Sequence, residues 1–252
     1  MKGNSFCIEV SNVNKSFGKK QILHDISLNV PEGGICGLIG PSGCGKTTLV
    51  RIIAGILKAS SGSVHIEGAA IPSLEKMADI GYMAQSIALY DALTVRENLQ
   101  FFGKLQGLRE PELSRRIDSV TSLVDLKEKL DSTVASFSGG MKQRLSLAIA
   151  VIHRPRILIL DEPTVGIDPL LRYQIWSELR KLTENGVTIL ITTHVMDEAK
   201  KCDRIALMRQ GHILANGSVS DLMKNTSSGS LEEAFIYYSK GGDIHENTSS
   251  DS

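Results

Sequence analysis

This chain has no charge imbalance: its 28 basic residues are matched by 28 acidic ones. Without a net field it is not drawn to nucleic acid or to anionic lipid, which speaks against a DNA- or RNA-driven activity and predicts no nucleic-acid partner. Cysteine is scarce, and Cys7, Cys36, Cys44 and Cys202 show no C-x-x-C spacing, so neither a zinc site nor a disulfide framework is indicated. A reduced cytosolic face is the simpler setting. No apolar run approaches the roughly 20 residues that cross a bilayer. The N-terminus lacks the apolar segment of a signal peptide. Internal repeats and coiled-coil heptads are missing too. Any membrane role is therefore expected to come through a partner, the chain itself reading as soluble. At 252 residues it can bury one substantial core with a satellite subdomain.

The residues that are present alternate between strand and helix signals. Phe6 to Val13 and Ile22 to Val30 alternate as strands do, joined by polar Asn14-Lys15-Ser16 and Gly18-Lys19-Lys20. Ile35 to Ile39 reads as a buried strand, and Lys46 to Leu57 has helical periodicity. Ser63 to Glu67 is another strand. From about Thr94 to Leu130 the apolar spacing is helical, interrupted at Gly107 and Pro111, which predicts a helical subdomain (about 86–153) inserted in an α/β core. Met141, Leu145, Ala148 and Ile152 predict a helix that ends before Pro155. Buried strands at Ile157 to Leu160 and Val187 to Thr192 flank a helix around Arg172 to Leu182. The expected domain spans 1–238, and residues from about Ser239 onward read as a polar, disordered tail.

Chemistry is concentrated in a few segments. Gly40-Pro41-Ser42-Gly43-Cys44-Gly45-Lys46-Thr47 fits G-x-x-x-x-G-K-[ST] and lies between a strand and a helix, the context that motif requires. Gly40, Gly43 and Gly45 let the backbone curl so that N–H groups point at phosphate oxygens, and the helix dipole adds to their pull. Lys46 is expected at the β- and γ-phosphates and Thr47 on Mg²⁺, with Thr48 next in the ATP-binding run. Asp161-Glu162 ends a buried strand, so Asp161 is placed to hold Mg²⁺ through water and Glu162 to act as general base. Ser138 before Gly139-Gly140 is a helix N-cap with bare N–H groups, a second anion site. Cys44, beside Lys46 and near a helix start, is expected to favour the thiolate, to be the main target of alkylating reagents, and to be protected by MgATP.

The order of these segments resembles the nucleotide-binding domain of an ATP-binding cassette (ABC) transporter over nearly the whole chain. The resemblance implies a phosphate-loop NTPase three-layer core, an N-terminal antiparallel β subdomain and the inserted helical subdomain. It also implies two domains lying head to tail, with Ser138, Gly139, Gly140 and the D-loop residue Asp168 reaching the ATP held by the partner domain, a second copy of this chain. His194 matches the family's switch histidine and Gln85 its Q-loop glutamine, a ligand of Mg²⁺ that also touches the attacking water. Phe17 matches the aromatic that stacks on adenine, where partial burial is the alternative. Phe137 and Met141 depart from the usual Leu-Ser-Gly-Gly-Gln: the first should alter only packing, whereas the second removes an amide donor. Ile87, Ala88, Leu89 and Tyr90, next to the Q-loop, read either as a docking groove or as packed core.

The implied function is ATP hydrolysis driving a separate membrane-spanning subunit, with ATP and Mg²⁺ required and the chain peripheral on the cytoplasmic face. Pro163 to Pro169 and Ser230 to Phe235 look like exporter ATPases. A non-transport ATPase of the same superfamily would carry a long coiled coil or a second cassette, and a small-molecule kinase would leave Ser138-Gly139-Gly140 and His194 without a task.

Overall fold

The computed structural model describes residues 6–85 and 89–241. The chain opens with two long strands, β1 (Phe6–Phe17) and β2 (Lys20–Pro31), followed by β3 (Gly34–Ile39) and the helix α1 (Lys46–Ile53). A short excursion follows through β4 (Ser61–Ile66), β5 (Ala69–Ala70) and α2 (Leu74–Ala78), after which β6 (Ile80–Met83) returns to the core. Three helices come next, α3 (Val95–Leu105), α4 (Glu112–Leu123) and α5 (Gly139–Val151). Strand and helix then alternate through β7 (Ile157–Asp161), α6 (Pro169–Glu184), β8 (Thr188–Thr193), α7 (Met196–Ala199) and β9 (Arg204–Arg209). The hairpin strand β10 (His212–Gly217) and the helices α8 (Val219–Asn225) and α9 (Leu231–Ser239) complete the described chain.

Two sheets form. One is antiparallel with order β2-β1-β4-β5; the other runs β10-β9-β3-β8-β7-β6 and is parallel except for the β10 edge. The second sheet divides the interior, because successive strand residues point to opposite faces. Ile35, Ile39, Leu158, Leu160, Ile189, Ile191, Ile205 and Leu207 pack on one face with the core of α3 to α6. Their neighbours Cys36, Leu38, Ile157, Ile159, Leu190, Ala206 and Met208 pack on the other, with α1 and the antiparallel sheet. Strands apolar on both faces are what a covered parallel sheet demands. The result is the three-layer α/β arrangement expected, with the antiparallel sheet and α1 supplying one outer layer.

The helical segment is held by specific ends as well as by apolar faces. Thr94 and Glu97 form a capping box at the start of α3. The Arg116 guanidinium donates to the carbonyls of Val151 and Ile152, 2.7 Å each, satisfying the last turn of α5.

Several boundaries differ from the sequence reading. Asn14-Lys15-Ser16 continues β1 instead of ending it. These polar residues stay extended because their side chains and N–H groups are bonded: Asn14 to Asp25 (2.7 Å), Lys15 Nζ to the Lys58 carbonyl (2.8 Å) and the Ser16 N–H to Ser60 (3.0 Å). Helix α1 stops at Ile53, where Gly55 turns at φ +74°. Helix α9 carries regular structure to Ser239, the expected start of the tail; residues 242–252 lie outside the described residues. So do Ile87 and Ala88 of the expected docking stretch. Leu89 packs against the helical core, and Tyr90 is exposed, edge-on to Phe101.

Candidate functional site

The five parallel strands of this sheet all end on one edge, since they run the same way. Register fixes which ends are neighbours: Ile39 pairs with Thr193, Asp161 with Thr192, and Met83 with Leu160. The loop after β3, the acidic pair after β7, His194 after β8 and Gln85 after β6 are therefore brought together. This is where ligands of α/β sheets bind, outside the carboxyl ends of the strands.

The loop from Gly40 to Gly45 is pinned from several sides. Gly43 and Gly45 adopt φ +78° and +110°, the conformations glycine permits. Gly40 has a different reason to be glycine: a Cβ there would lie 2.1 Å from the Met208 carbonyl oxygen, so β9 passes against bare backbone. Lys46, 4% exposed, donates from Nζ to the carbonyls of Gly40 (2.8 Å) and Pro41 (3.1 Å). Phe17, Ser42, Gly43, Gly45, Lys46, Thr47, Thr48, Gln85 and Glu162 share one cleft, with a cavity of about 270 Å³. The Phe17 ring is 52% exposed, with Lys15 Nζ 4.9 Å from its centroid, so it stands at the cleft instead of joining the core.

Glu162 is the hub. Its buried carboxylate lies 3.7 Å from Lys46 Nζ and 3.3 Å from His194 Nδ1, and accepts from Gln85 Nε2 at 3.4 Å. Its backbone is left-handed, at φ +52°. Non-glycine residues persist there only when their surroundings over-determine them, at a cost of order 1–3 kcal/mol. Here the Glu162 N–H donates to the hydroxyl (3.0 Å) and the carbonyl (3.2 Å) of Thr192, and its carbonyl accepts from Gln143 Nε2 (3.0 Å). The Thr192 hydroxyl in turn donates to Asp161 Oδ1 at 2.6 Å. Asp161 Oδ2 is buried without a protein partner. A bare anionic oxygen is what a hard cation such as Mg²⁺ takes, alongside hydroxyl and amide oxygens like those of Thr47 and Gln85. The residues fit that ion.

The segment expected to form a second anion site lies elsewhere. Ser138 caps α5, its hydroxyl accepting from the Met141 N–H at 3.3 Å. Ser138 and Gly139 are exposed, and the first-turn N–H groups of Gly139 and Gly140 have no intrahelical acceptor. None of the three lines the Lys46 cleft. Phe137 and Met141 pack on the helical core, so both departures in this segment serve packing. Asp168 caps α6, accepting from the Leu171 N–H at 3.0 Å, and lines a different cleft with Ser122, Arg144 and Leu170.

Cys44 corrects the sequence reading. Its side chain turns inward, 5% exposed, into the core under the loop. Burial pushes the thiol up and outweighs the Lys46 charge and the backbone N–H groups that pull it down. Cys36 is pushed to about 12 by burial, and Cys7 and Cys202 are raised for the same reason. Sequence reasoning also missed Thr192 and Gln143, which hold the Glu162 backbone. Only a buried polar position at the end of an apolar strand hints at the first; nothing local marks the second.

Fold and cradle together define a nucleoside-triphosphate-binding protein of the phosphate-loop class. Residues 23–165 match the family model described as ABC transporter. The chain is 40% identical over 218 residues to the linearmycin resistance ATP-binding protein LnrL of Bacillus subtilis, covering 85% of this chain and 70% of that one. It is also 40% identical over 242 residues to the Nod factor export ATP-binding protein I of Rhizobium meliloti, covering 95% and 71%. Among solved structures it is similar to the ATP-binding cassette MJ0796, a dimer in a post-hydrolysis state bound to ADP and phosphate. That match has a TM-score of 0.78 at 26% identity and covers 84% of this chain and 98% of that one. The chain belongs to the ABC transporter family, as an ATP-binding, ATP-hydrolysing subunit. No helix among the described residues is long and apolar enough to cross a membrane.

Proposed function

We propose that this chain energises export through a separate membrane-spanning subunit, hydrolysing ATP as a head-to-tail homodimer on the cytoplasmic face of the membrane. The observation that carries the reading is the convergence of Lys46, Glu162, His194 and Gln85 on one sheet edge. In it, residues 1–238 act as one cassette, with about 86–153 as its helical subdomain.

ATP seats its phosphates on the N–H groups of Gly43 to Thr48, where the α1 dipole and Lys46 draw the negative charge. Phe17 carries the adenine. Thr47, Asp161 and Gln85 would hold Mg²⁺, which would supply neutralising charge for the phosphates. Glu162 takes the proton of the attacking water, while His194 holds the Glu162 carboxylate in place and faces the γ-phosphate. Ser138, Gly139 and Gly140 present free N–H groups and a hydroxyl on a different part of the surface. That placement suits ATP bound to the other copy, whose site they complete together with Asp168. The exporter direction is supported by the name of the Nod factor export relative and by the Pro163–Pro169 and Ser230–Phe235 segments.

Affinity purification of the tagged chain from detergent-solubilised membranes of its source tests this. The expected result is recovery of a multi-span membrane protein whose presence raises ATPase turnover. Recovery of ribosomal or DNA-repair proteins in its place would refute the transport reading.

A further inference from the structure

A second buried carboxylate lies behind the first. Glu198, 3% exposed, belongs to α7, directly after the loop that bears His194. Its two oxygens are divided between two hydroxyls. Oε1 accepts from Thr164, two residues beyond Glu162, and Oε2 accepts from Thr193, adjacent to His194, at 2.7 Å. Arg172 of α6 approaches the same carboxylate, its Nε 3.8 Å from Oε1, while its Nη2 donates to the Ile167 carbonyl next to Asp168 at 3.2 Å.

Each contact falls on a segment with a task in hydrolysis. Thr193 leads into the His194 loop, and its hydroxyl also accepts from the Val195 N–H at 3.0 Å, fixing the turn that aims the imidazole. Thr164 lies two residues into the segment from Glu162 to Asp168, and Arg172 braces its far end. A buried carboxylate is costly unless it is paired and bonded. This one is satisfied only while both segments hold their places. We infer that Glu198 is a positioning residue that clamps the segment after Glu162 to the His194 loop, and so maintains the 3.3 Å contact between Glu162 and His194. The inference rests on the hydrolytic roles given above to those two residues.

Glutamine tests the clamp at constant size. A carboxylate accepts at both oxygens; an amide accepts at one and donates at the other. In Glu198→Gln the threonine hydroxyl that meets the amide N–H₂ must turn from donating to accepting, and both bonds lose their charge assistance, so the grip on one of the two segments weakens. Turnover per active site is expected to fall roughly 10- to 100-fold, because small displacements of reacting groups cost about that much. The KM for ATP and nucleotide binding to the monomer should stay within about twofold, since no polar contact of the Glu198 carboxylate goes to the phosphate loop. In a His194→Ala background, Glu198→Gln should add less than about twofold, because the geometry it protects has already gone. Thr193→Val should reproduce the loss and Thr193→Ser should restore it, which keeps the test available if Glu198→Gln folds poorly.

Parental turnover in Glu198→Gln, a KM rising in step with the loss, or independent effects in the double variant would overturn the inference while leaving the roles of Glu162 and His194 intact. Parental turnover in His194→Ala alone would remove the hydrolytic role of His194, and the inference about Glu198 with it.

Discussion

Replacing Glu162 by glutamine separates binding from chemistry at this site. The change preserves size, and the backbone bonds to Thr192 and Gln143 that hold the left-handed turn do not involve the side chain. What goes is a proton acceptor and a negative charge. Removing a positioned general base slows a reaction about 10²–10⁴-fold, or about 2.7–5.4 kcal/mol of barrier at 1.36 kcal/mol per tenfold. The charge acts in the opposite sense on binding. Glu162 lies 3.7 Å from Lys46 Nζ, and charges about 4 Å apart at an effective dielectric near 20 attract by roughly 4 kcal/mol before desolvation. Neutralising position 162 frees that part of the Lys46 field for the phosphates, so ATP affinity should hold or rise. ADP release in a coupled assay, fluorescent-nucleotide titration, and light scattering with and without ATP measure the three consequences. Slow turnover, retained affinity and an ATP-held dimer are expected. Turnover within about threefold of the parent, or affinity more than about tenfold weaker, would refute the assignment of Glu162 as the base.

Three further outcomes follow from particular contacts. Ser138→Arg should abolish hydrolysis but leave ATP binding to the monomer unchanged, at a stability cost of about 1 kcal/mol for the lost cap of α5; a large loss of monomer affinity would contradict the head-to-tail arrangement. Alkylating reagents should label all four cysteines slowly in the folded protein, with no protection by MgATP beyond its effect on unfolding, because every thiol is buried and raised. Rapid labelling of Cys44 with loss of ATPase would refute this. Burial lowers the His153 pKa below 6.5, so the unfolded chain binds that proton more tightly and stability should fall as pH drops through 6.5. Thermal melts from pH 7.5 to 5.5 should show a smaller acid loss in His153→Leu than in the parent, and equal slopes would exclude the contribution.

Much of the fold was legible because the parallel strands are apolar on both faces and the phosphate-loop glycines are local signals. Asp161 and Glu162 could be placed because a strand as uniformly apolar as Ile157–Leu160 has to end at the sheet edge. What escaped depends on where side chains go. Cys44 was read from its charged neighbours along the chain, but Gly40 brings β9 against the loop and the thiol turns inward beneath it. Glu198 sits in the run Asp197-Glu198-Ala199-Lys200-Lys201, which reads as a solvated helix face. Only the fold of α7 under the sheet edge turns that one carboxylate inward. β9 and β10 were not anticipated, since Arg204, Arg209 and His212 interrupt the apolar pattern at the strand ends.

The left-handed backbone at Glu162 also bears on how this chain can change over generations. Glycine is the residue that such a φ suits best, and one nucleotide separates a glutamate codon from a glycine codon. The substitution that most easily relaxes the backbone at this position is thus the one that deletes the carboxylate we propose as the proton acceptor. Selection for a robust fold and selection for turnover pull in opposite directions at a single residue. A copy of this gene released from its transport duty would be expected to drift first toward a cassette that still binds ATP and no longer spends it.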